Sequence, residues 1–486
     1  MNTEIFDMVA KTFQGLEDVL AEELRSIGAI NVEPGRRMVS FQGDKEMLYK
    51  ANLHCRTALR ILKPFYSFRA HTADKLYDRV KEFDWNSLLS PEKTFAIDVT
   101  VNSSEFTNSR FVTYRVKDAI VDFFTDRDPQ GKRPSVRLTD ADVMINVHIA
   151  ESDVTLSLDS SGESLHKRGW REAQTEAPIN EVLAAGIILK TGWRGNTPFV
   201  DPMCGSGTFL VEAALIAANI APGIYRKSFA FERWSDFDAE LWDRLYNDDS
   251  AEREILCPII GADMSPKAVA ITTENLKRAG VAGSVTVELK PLSQWTEAPA
   301  DGVLVTNPPY GERLRPDDID ALYSLIGSQL KHVFTGYHAW IIGYRDEQFA
   351  KIGLAPSFRE PLLNGALECE LREYIIFQGD RKSFRAAGGK LQTRERAERP
   401  RNKSNRPFDK SRKPFARRKD DSHVRGGADR HEKSAPIQRP EISENPLAAR
   451  RNPEALKAII GKMPSISARK GWRRKSGGSE TPTKES

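Results

Sequence analysis

The sequence lacks several features that mark common classes of protein. Its four cysteines, Cys55, Cys204, Cys257 and Cys369, form no CxxC pair and have no neighbouring histidines, which argues against a zinc site or a disulfide framework. No run of about 18 apolar residues is present, and the N-terminal segment does not have the basic-then-apolar order of a signal peptide. We therefore expect no bound metal, no membrane span and a protein that stays in the reducing cytoplasm.

Aromatic residues are scarce, and basic residues abundant, at one end of the chain. Residues 380–486 contain 30 Lys and Arg against 13 Asp and Glu, a net charge of +17, whereas residues 1–379 contain 42 against 55, a net charge of −13. A basic segment with few aromatics cannot bury enough apolar surface to offset the entropy of ordering it. We interpret residues 379–486 as a largely disordered tail suited to a polyanion such as RNA, with one candidate docking helix at residues 452–462.

The 486 residues are too many for one hydrophobic core, because single cores rarely grow beyond roughly 250 residues. Apolar periodicity predicts a small α+β unit over residues 1–65 and a second α+β module over residues 66–160. Over residues 178–378, strands separated by helices predict an α/β domain with a parallel sheet and helices on both faces. No internal repeat is visible.

A polar and basic segment, residues 161–177, joins the two halves of the chain. It contains His166, Lys167, Arg168 and Arg171, and their side chains could position RNA phosphates near a cleft between domains. A solvated basic linker explains the same residues nearly as well.

A turn of mostly small residues joins a predicted strand to a predicted helix. It contains Asp201, Pro202, Cys204, Gly205, Ser206, Gly207 and Thr208. The two glycines permit a tight turn and a close approach of ligand to backbone, with the start of a helix behind them. This arrangement suits a nucleotide-like cofactor, although such a pattern standing alone more often marks an ordinary strand-to-helix turn.

An acidic residue, Asp263, ends the next predicted strand. In an open α/β sheet, ligands bind outside the carboxyl ends of neighbouring strands, so Asp263 is placed to accept hydrogen bonds from a ribose diol. A helix N-cap before Pro266 is an equally good explanation of this residue.

A later strand ends in a stiff turn made of Asn307, Pro308, Pro309 and Tyr310. The side-chain oxygen of Asn307 and a backbone carbonyl at Pro308 can both accept from one exocyclic NH2 group, which orients its lone pair toward an electrophilic methyl group. Tyr310 offers a flat face on which an unpaired base can stack. A rigid turn with an aromatic plug is the structural alternative.

The GSGT turn, the acidic end of the next strand and the sequence NPPYGERL resemble the class I S-adenosylmethionine-dependent methyltransferases that act on amino nitrogens. More narrowly, residues 1–378 resemble the THUMP-containing 23S rRNA guanine-N2 methyltransferases, including LHKRGWR at residues 165–171 and APINEVLAA at residues 177–185. NPPYGERL with an upstream THUMP region is a specific combination. NPPY alone is shared with adenine-N6 DNA methyltransferases and with protein glutamine methyltransferases.

This resemblance implies a Rossmann-like methyltransferase domain (residues 178–378) preceded by a ferredoxin-like region (residues 1–65) and a THUMP RNA-binding module (residues 66–160), with S-adenosylmethionine as cofactor. By carry-over, Asp201, Pro202, residues 204–208 and Asn307 line the cofactor site, Asp263 contacts the ribose, and residues 307–310 hold the target amine. The implied target is N2 of a guanine in 23S rRNA. Many relatives have an acidic residue that holds adenine where this chain has LKPLS at residues 289–293, so a backbone group or Ser293 is the expected replacement.

Two other kinds of function remain open at this point. An N-methyltransferase acting on transfer RNA guanine, on DNA adenine or on a protein glutamine would use the same catalytic turn. A non-catalytic RNA-binding assembly factor would retain the fold, but we would then expect changes at Gly205, Gly207 or Asn307, and none of these is altered.

Overall fold

The computed structural model describes residues 4–175, 178–309, 316–344, 346–365, 367–377 and 379. These residues belong to one unit of the chain, whereas a second unit, residues 394–463, lies outside them. Tyr310, almost all of the basic tail and its candidate helix at residues 452–462 also lie outside the described residues.

Among the described residues, the N-terminal third of the chain forms eight β-strands and four α-helices. They are β1 (Phe6–Lys11), α1 (Glu17–Ser26), β2 (Ile30–Gly35), β3 (Met38–Gly43), α2 (Lys45–His54), β4 (Arg60–Arg69), α3 (Ala73–Glu82), β5 (Thr94–Asn102), α4 (Ser109–Thr125), β6 (Ser135–Val136), β7 (Val143–Ala150) and β8 (Asp153–Asp159). Their strands make one eight-stranded sheet in the order β2-β3-β1-β4-β8-β7-β5-β6.

Strand β4 is common to both of the predicted α+β modules. Its first residues pair antiparallel with β1, and the strand pairs with β8 from Leu62 to Arg69, with a register shift between Pro64 and Tyr66. The expected boundary between residues 65 and 66 therefore falls inside a strand. The two modules have separate hydrophobic cores but share a sheet, so backbone hydrogen bonds couple them directly.

Local side-chain chemistry sets where several helices begin. The side chain of Asp44 accepts from the backbone N–H of Met47 at 2.9 Å, and that of Asn180 accepts from Val182 at 2.9 Å. Such caps satisfy amide groups that have no partner inside the helix, which is why Asp, Asn, Ser and Thr are favoured there.

The C-terminal part follows the predicted α/β rhythm. Its elements are α5 (Glu181–Lys190), β9 (Phe199–Asp201), α6 (Thr208–Ala217), α7 (Ala239–Asn247), β10 (Ile259–Asp263), α8 (Pro266–Arg278), β11 (Thr286–Leu289), β12 (Val303–Thr306), α9 (Pro316–His332), β13 (His338–Gly343), α10 (Asp346–Lys351), β14 (Phe358–Asn364) and β15 (Leu367–Ile375). The sheet order is β11-β10-β9-β12-β13-β15-β14, parallel except at β15 and β14. Apolar clusters cover both faces, one including α5 and α6 and the other α9. The predicted Rossmann-like fold is confirmed.

Residues 220–256 form a docking segment that the periodicity of the sequence did not reveal. The segment lies between α6 and β10, yet its aromatic side chains pack against the ferredoxin-like region. Phe231 stacks on Tyr49 with ring centroids 4.4 Å apart, and Trp242 meets Phe231 edge-on at 5.0 Å. Aromatic pairs of this geometry stabilise beyond their buried area, so the segment fixes the C-terminal domain against α2.

The predicted solvated linker is partly buried, and this corrects the interpretation of Arg168 as an RNA-binding residue. The side chain of Arg168 is 2% exposed and forms an ion pair with the fully buried Glu212 of α6, with Nε 3.2 Å from Oε1. It also donates to the carbonyl oxygens of Leu165 at 3.0 Å and Arg56 at 2.5 Å. Arg168 therefore ties the ferredoxin-like region to α6 and is shielded from phosphates.

Within the described residues, the structure contains no helix that is both long enough and apolar enough to span a membrane.

We expect Arg168→Met to reduce the free energy of unfolding by about 3–5 kcal/mol, because removal of one partner leaves Glu212 uncompensated in the interior. Lys167→Ala is the matched control. The side chain of Lys167 is 58% exposed and pairs with the exposed Glu163, so its removal should change stability by about 0.5 kcal/mol or less. Urea denaturation followed by circular dichroism measures both, and equal effects would contradict the importance of the buried pair.

Candidate active site

Three neighbouring strands bring the predicted site residues to one edge of the sheet. Strand β9 lies between β10 and β12, with Gly261 opposite Asp201 and Leu304 opposite Val200. All three strands are parallel, so their carboxyl ends meet at the point where the strand order reverses. This is the place where open α/β sheets bind ligands.

The glycine turn after β9 is held against β10. The backbone N–H of Cys204 donates to the carbonyl of Ala262 at 2.9 Å, and both Gly205 and Gly207 have positive φ angles, 55° and 76°. A Cβ atom on Gly207 would lie 2.6 Å from Thr272 Cγ2, whereas one on Gly205 would meet only Thr175 Oγ1 among the described residues, at 3.7 Å. Helix packing thus demands glycine at 207, and the space beside Gly205 admits a ligand.

Most of the other predicted turn residues are buried. They are Pro202, Cys204, Ser206 and Thr208. Cys204 packs within the apolar cluster beneath the turn, and no side chain caps the first turn of α6. These residues shape the turn, and the half-buried Gly205 is the part of it that a cofactor can approach.

Asp263 holds the glycine turn in place and can still accept further hydrogen bonds. Its two oxygens accept from the backbone N–H groups of Gly205 and Ser265, each at 2.9 Å. An ionised carboxylate has about four lone-pair sites, so two remain for a ribose diol. The predicted N-cap role belongs to Ser265, whose hydroxyl accepts from Ala268 at 3.3 Å.

Two apolar side chains beside Asp263 were not predicted from the sequence as site residues. Met264 is 75% exposed and Leu289, opposite Asp263 in the register, is 57% exposed. An exposed apolar pair at the ends of adjacent strands offers a surface that a purine ring can cover. The signal available in the sequence was an apolar residue at the end of one strand, Leu289, and directly after the end of the other, Met264.

Asp201 links β9 to β12 through a side-chain hydrogen bond. It is 1% exposed, and its Oδ1 accepts from the Thr306 hydroxyl at 2.9 Å and from the Met203 N–H at 3.2 Å. Burial raises the pKa of Asp201 to about 7, despite these two hydrogen bonds. The carboxyl group therefore changes its charge near neutral pH beneath the candidate site.

The side-chain oxygen of Asn307, directly after β12, is an unused hydrogen-bond acceptor among the described residues. Its Oδ1 is buried and has no hydrogen-bond partner among the described residues. Pro308, which is buried, and Pro309, which is half-buried, follow it, while Tyr310 lies outside the described part of the chain. The turn thus presents a rigid acceptor beside the cofactor-binding edge.

The remaining predicted RNA-binding residues have different environments. Arg171 is 13% exposed and is engaged by Glu181, Ser206 and Thr208, so the expectation that it meets phosphates is corrected. His166 is half-buried, with Nδ1 2.9 Å from Ser164 Oγ, and burial lowers its pKa below the ordinary value. Lys167 is exposed, and its predicted contact with RNA phosphates remains a proposal.

In the part of the chain that the structure describes, no group of three His, Cys, Asp or Glu side chains is placed to hold a metal ion.

We expect the Tm of Asp201→Asn, relative to the parent, to rise between about pH 5 and about pH 8. Because the pKa of Asp201 is raised in the folded state, its contribution to stability is complete below the unfolded pKa, about 4, and is lost as pH rises through about 7. Asparagine keeps an oxygen for the Thr306 hydroxyl and does not ionise.

Asp142→Asn is the control for that experiment. Hydrogen bonds from Thr94 lower the pKa of Asp142, so it stays ionised across the range and the offset of its variant should be constant. Differential scanning calorimetry measures both series. A constant offset for Asp201→Asn as well would contradict a raised pKa at Asp201.

Three family descriptions match successive parts of this chain. Residues 7–62 match the RlmL ferredoxin-like domain, residues 70–159 match the THUMP domain, and residues 168–372 match the RMKL-like methyltransferase domain. Their order is the one that the resemblance implied.

Individual relatives agree with these matches. A putative RNA methyltransferase of Synechocystis sp. is 38% identical over 371 residues, 76% of this chain and 96% of the relative. The ribosomal RNA large subunit methyltransferase K/L of Syntrophotalea carbinolica is 41% identical over 377 residues, 75% of this chain but 52% of the relative, so the chain spans about half the length of the K/L relatives it matches. A solved putative methyltransferase complexed with S-adenosylhomocysteine is 32% identical, with a TM-score of 0.69 over 78% of this chain and 100% of that one. The chain therefore belongs to the family of methyltransferases that join a ferredoxin-like domain and a THUMP domain to an RMKL-like methyltransferase domain.

Proposed function

We propose that this protein transfers a methyl group from S-adenosylmethionine to the exocyclic N2 of a guanine in RNA, and that the RNA is 23S rRNA. The names of two relatives support the RNA substrate, one a putative RNA methyltransferase and the other a methyltransferase of large subunit ribosomal RNA. A THUMP match next to the methyltransferase domain supports it as well.

The Oδ1 of Asn307, which has no donor among the described residues, carries this proposal. A buried acceptor without a donor costs about 1–3 kcal/mol, so a folded protein that keeps one gains from it elsewhere. The two N–H groups of an exocyclic amine can donate to Asn307 Oδ1 and to the carbonyl of Pro308. Pro309 stiffens the turn, and Tyr310, outside the described residues, is assigned the stacking of the target base by its place in the motif.

The residues at the other strand ends fit the cofactor. S-adenosylmethionine supplies an electrophilic methyl group when bound. Asp263 accepts from the ribose hydroxyls with its remaining lone pairs, Met264 and Leu289 cover the faces of adenine, and the open side of Gly205 receives the methionyl part. Asp201 holds β9 and β12 together, so that the cofactor and the Asn307 turn keep a fixed separation.

Two features of the chain support RNA binding at this site. The N-terminal modules are rigidly joined to the catalytic domain through the aromatic docking segment and the Arg168 tie, so RNA bound by them has a defined position relative to Asn307. The basic tail, residues 380–486, adds a sequence-independent attraction to phosphates through its charge of +17.

We expect Asn307→Ala to lower kcat about 100-fold, because the amine loses one of the acceptors that orient it, while the affinity for S-adenosylhomocysteine is unchanged. Asn247→Ala, which removes an amide at the end of α7, is the control. Nucleoside mass spectrometry of RNA from cells that lack the protein and are complemented with each variant measures the product.

Loss of N2-methylguanosine from 23S rRNA in the Asn307→Ala strain alone supports the full proposal. Loss of it from transfer RNA instead would reassign the substrate, and an unchanged RNA profile would reject RNA in favour of DNA adenine or protein glutamine. Full methylation by Asn307→Ala would remove the assigned role of this side chain.

Deletion of residues 380–486 should weaken RNA binding most at low salt. The affinity removed comes from counterion release, so a plot of log K against log salt concentration should become shallower, by about 0.7–0.9 for each phosphate that the tail neutralises in the parent. Fluorescence anisotropy with an rRNA fragment measures both slopes, and S-adenosylhomocysteine affinity serves as the control for folding. Parallel slopes would exclude the tail from phosphate binding.

A further inference from the structure

The linker between the N-terminal modules and the catalytic domain contacts helix α6 through two arginine side chains. Arg168 pairs with Glu212, and Arg171 donates to Thr208, one turn nearer the start of the helix. Residues four apart lie on the same helix face, so both arginines hold one side of α6. Between them, Gly169 permits the chain to approach residue 225, since a Cβ atom there would lie 2.1 Å from the Tyr225 carbonyl oxygen.

Arg171 connects three structural elements through one planar group. Its Nε donates to Glu181 Oε1 of α5 at 2.6 Å, its Nη1 to Ser206 Oγ at 3.0 Å, and its Nη2 to Thr208 Oγ1 at 2.7 Å. The guanidinium also lies over the ring of Trp170, 4.9 Å from its centroid. The fixed fork of an arginine is suited to satisfying several acceptors at once, which an ammonium group does with less geometric control.

A second contact holds the same turn from its other side. The Asn275 amide of α8 donates to the carbonyl of Ser206 at 2.9 Å and to that of Ala173, in the linker, at 3.2 Å. The Thr272 hydroxyl donates to the carbonyl of Gly205 at 2.8 Å. Residues 171–173 and α8 therefore enclose the glycine turn, and these donors are directed at atoms of the turn and of the linker beside it.

The arrangement is more than a buried ion pair. Glu181 alone would neutralise Arg171, yet the guanidinium also donates to two hydroxyl groups of the turn. Ser206 and Thr208 are 3% and 2% exposed, so they face the arginine rather than solvent. Arg171 thereby fixes the conformation of the glycine turn from its buried side.

We propose that Arg171 is a positioning residue for the cofactor: by holding Ser206 and Thr208, it sets the glycine turn in the shape that binds S-adenosylmethionine. This inference rests on the proposed cofactor site and adds to it a residue that does not touch the cofactor. It also makes the linker that follows the THUMP domain a structural part of the cofactor site.

The test is a double-mutant cycle on cofactor affinity in the full-length chain without RNA. Isothermal titration calorimetry with S-adenosylhomocysteine is run on the parent, Arg171→Lys, Thr208→Val, Ser206→Ala and the two doubles that combine Arg171→Lys with each. We expect Arg171→Lys to raise the dissociation constant about tenfold, the size of one missing charge-assisted hydrogen bond. In each double mutant, the factor by which the dissociation constant rises should be well below the product of the two single-mutant factors. The reason is that both substitutions remove the same hydrogen bond.

A kinetic measurement separates positioning from general damage. In Arg171→Lys the KM for S-adenosylmethionine should rise about tenfold with kcat nearly unchanged at saturation, whereas Asn307→Ala lowers kcat and leaves cofactor affinity intact. Lys351→Ala, which removes an exposed cation of α10 that pairs with Asp320, should match the parent in both constants. Thermal unfolding of each variant, monitored in parallel, shows that the folded fraction is the same.

Unchanged affinity in Arg171→Lys, or independent and multiplicative effects in both doubles, would overturn the inference. A parent protein that fails to bind S-adenosylhomocysteine would reject the proposed cofactor site and this inference with it. Normal binding by the parent with no product from any RNA would reject only the proposed substrate.

Discussion

The parallel pairing of β10, β9 and β12 is the constraint on which the site depends. Because neighbouring parallel strands end at the same edge of the sheet, the glycine turn, Asp263 and Asn307 come together although about a hundred residues separate the first from the last. Nothing local to any one segment creates this proximity. The order of strands creates it, and the order is maintained by apolar clusters on both faces of the sheet.

Buried polar contacts then convert proximity into fixed geometry. Asp201 accepts from Thr306 across two strands, Asp263 accepts from the amide of Gly205, and Arg171 donates to the hydroxyls behind the turn. Each contact joins elements from different parts of the chain, and each would be costly to leave half made. The Oδ1 of Asn307 has no donor among the described residues, and an unpaired acceptor is what a site awaiting an amine donor requires.

The N-terminal modules are integrated with the catalytic domain and are not appended to it by a flexible tether. Strand β4 joins the ferredoxin-like and THUMP regions in one sheet, and the segment between α6 and β10 reaches back to stack on Tyr49. The linker passes between them with Arg168 buried. A ligand held by the N-terminal modules would therefore have a defined position relative to the candidate site, without a search over relative domain orientations.

The sequence by itself determined the α/β order of the C-terminal domain, the three strand-end motifs and the family resemblance, because apolar period, glycine turns and Asn-Pro-Pro are local patterns. It did not determine the docking of residues 220–256, because the amphipathic pattern of α7 shows that one face is buried and not which surface covers it, nor did it determine the shared strand β4. It also misassigned Arg168 and Arg171, since a basic residue in a polar stretch looks the same in sequence whether solvent or a buried carboxylate is its partner. Only the tertiary structure supplied Glu212 and Glu181 as those partners, because the partner of a charge is chosen by long-range packing and not by its neighbours in the chain.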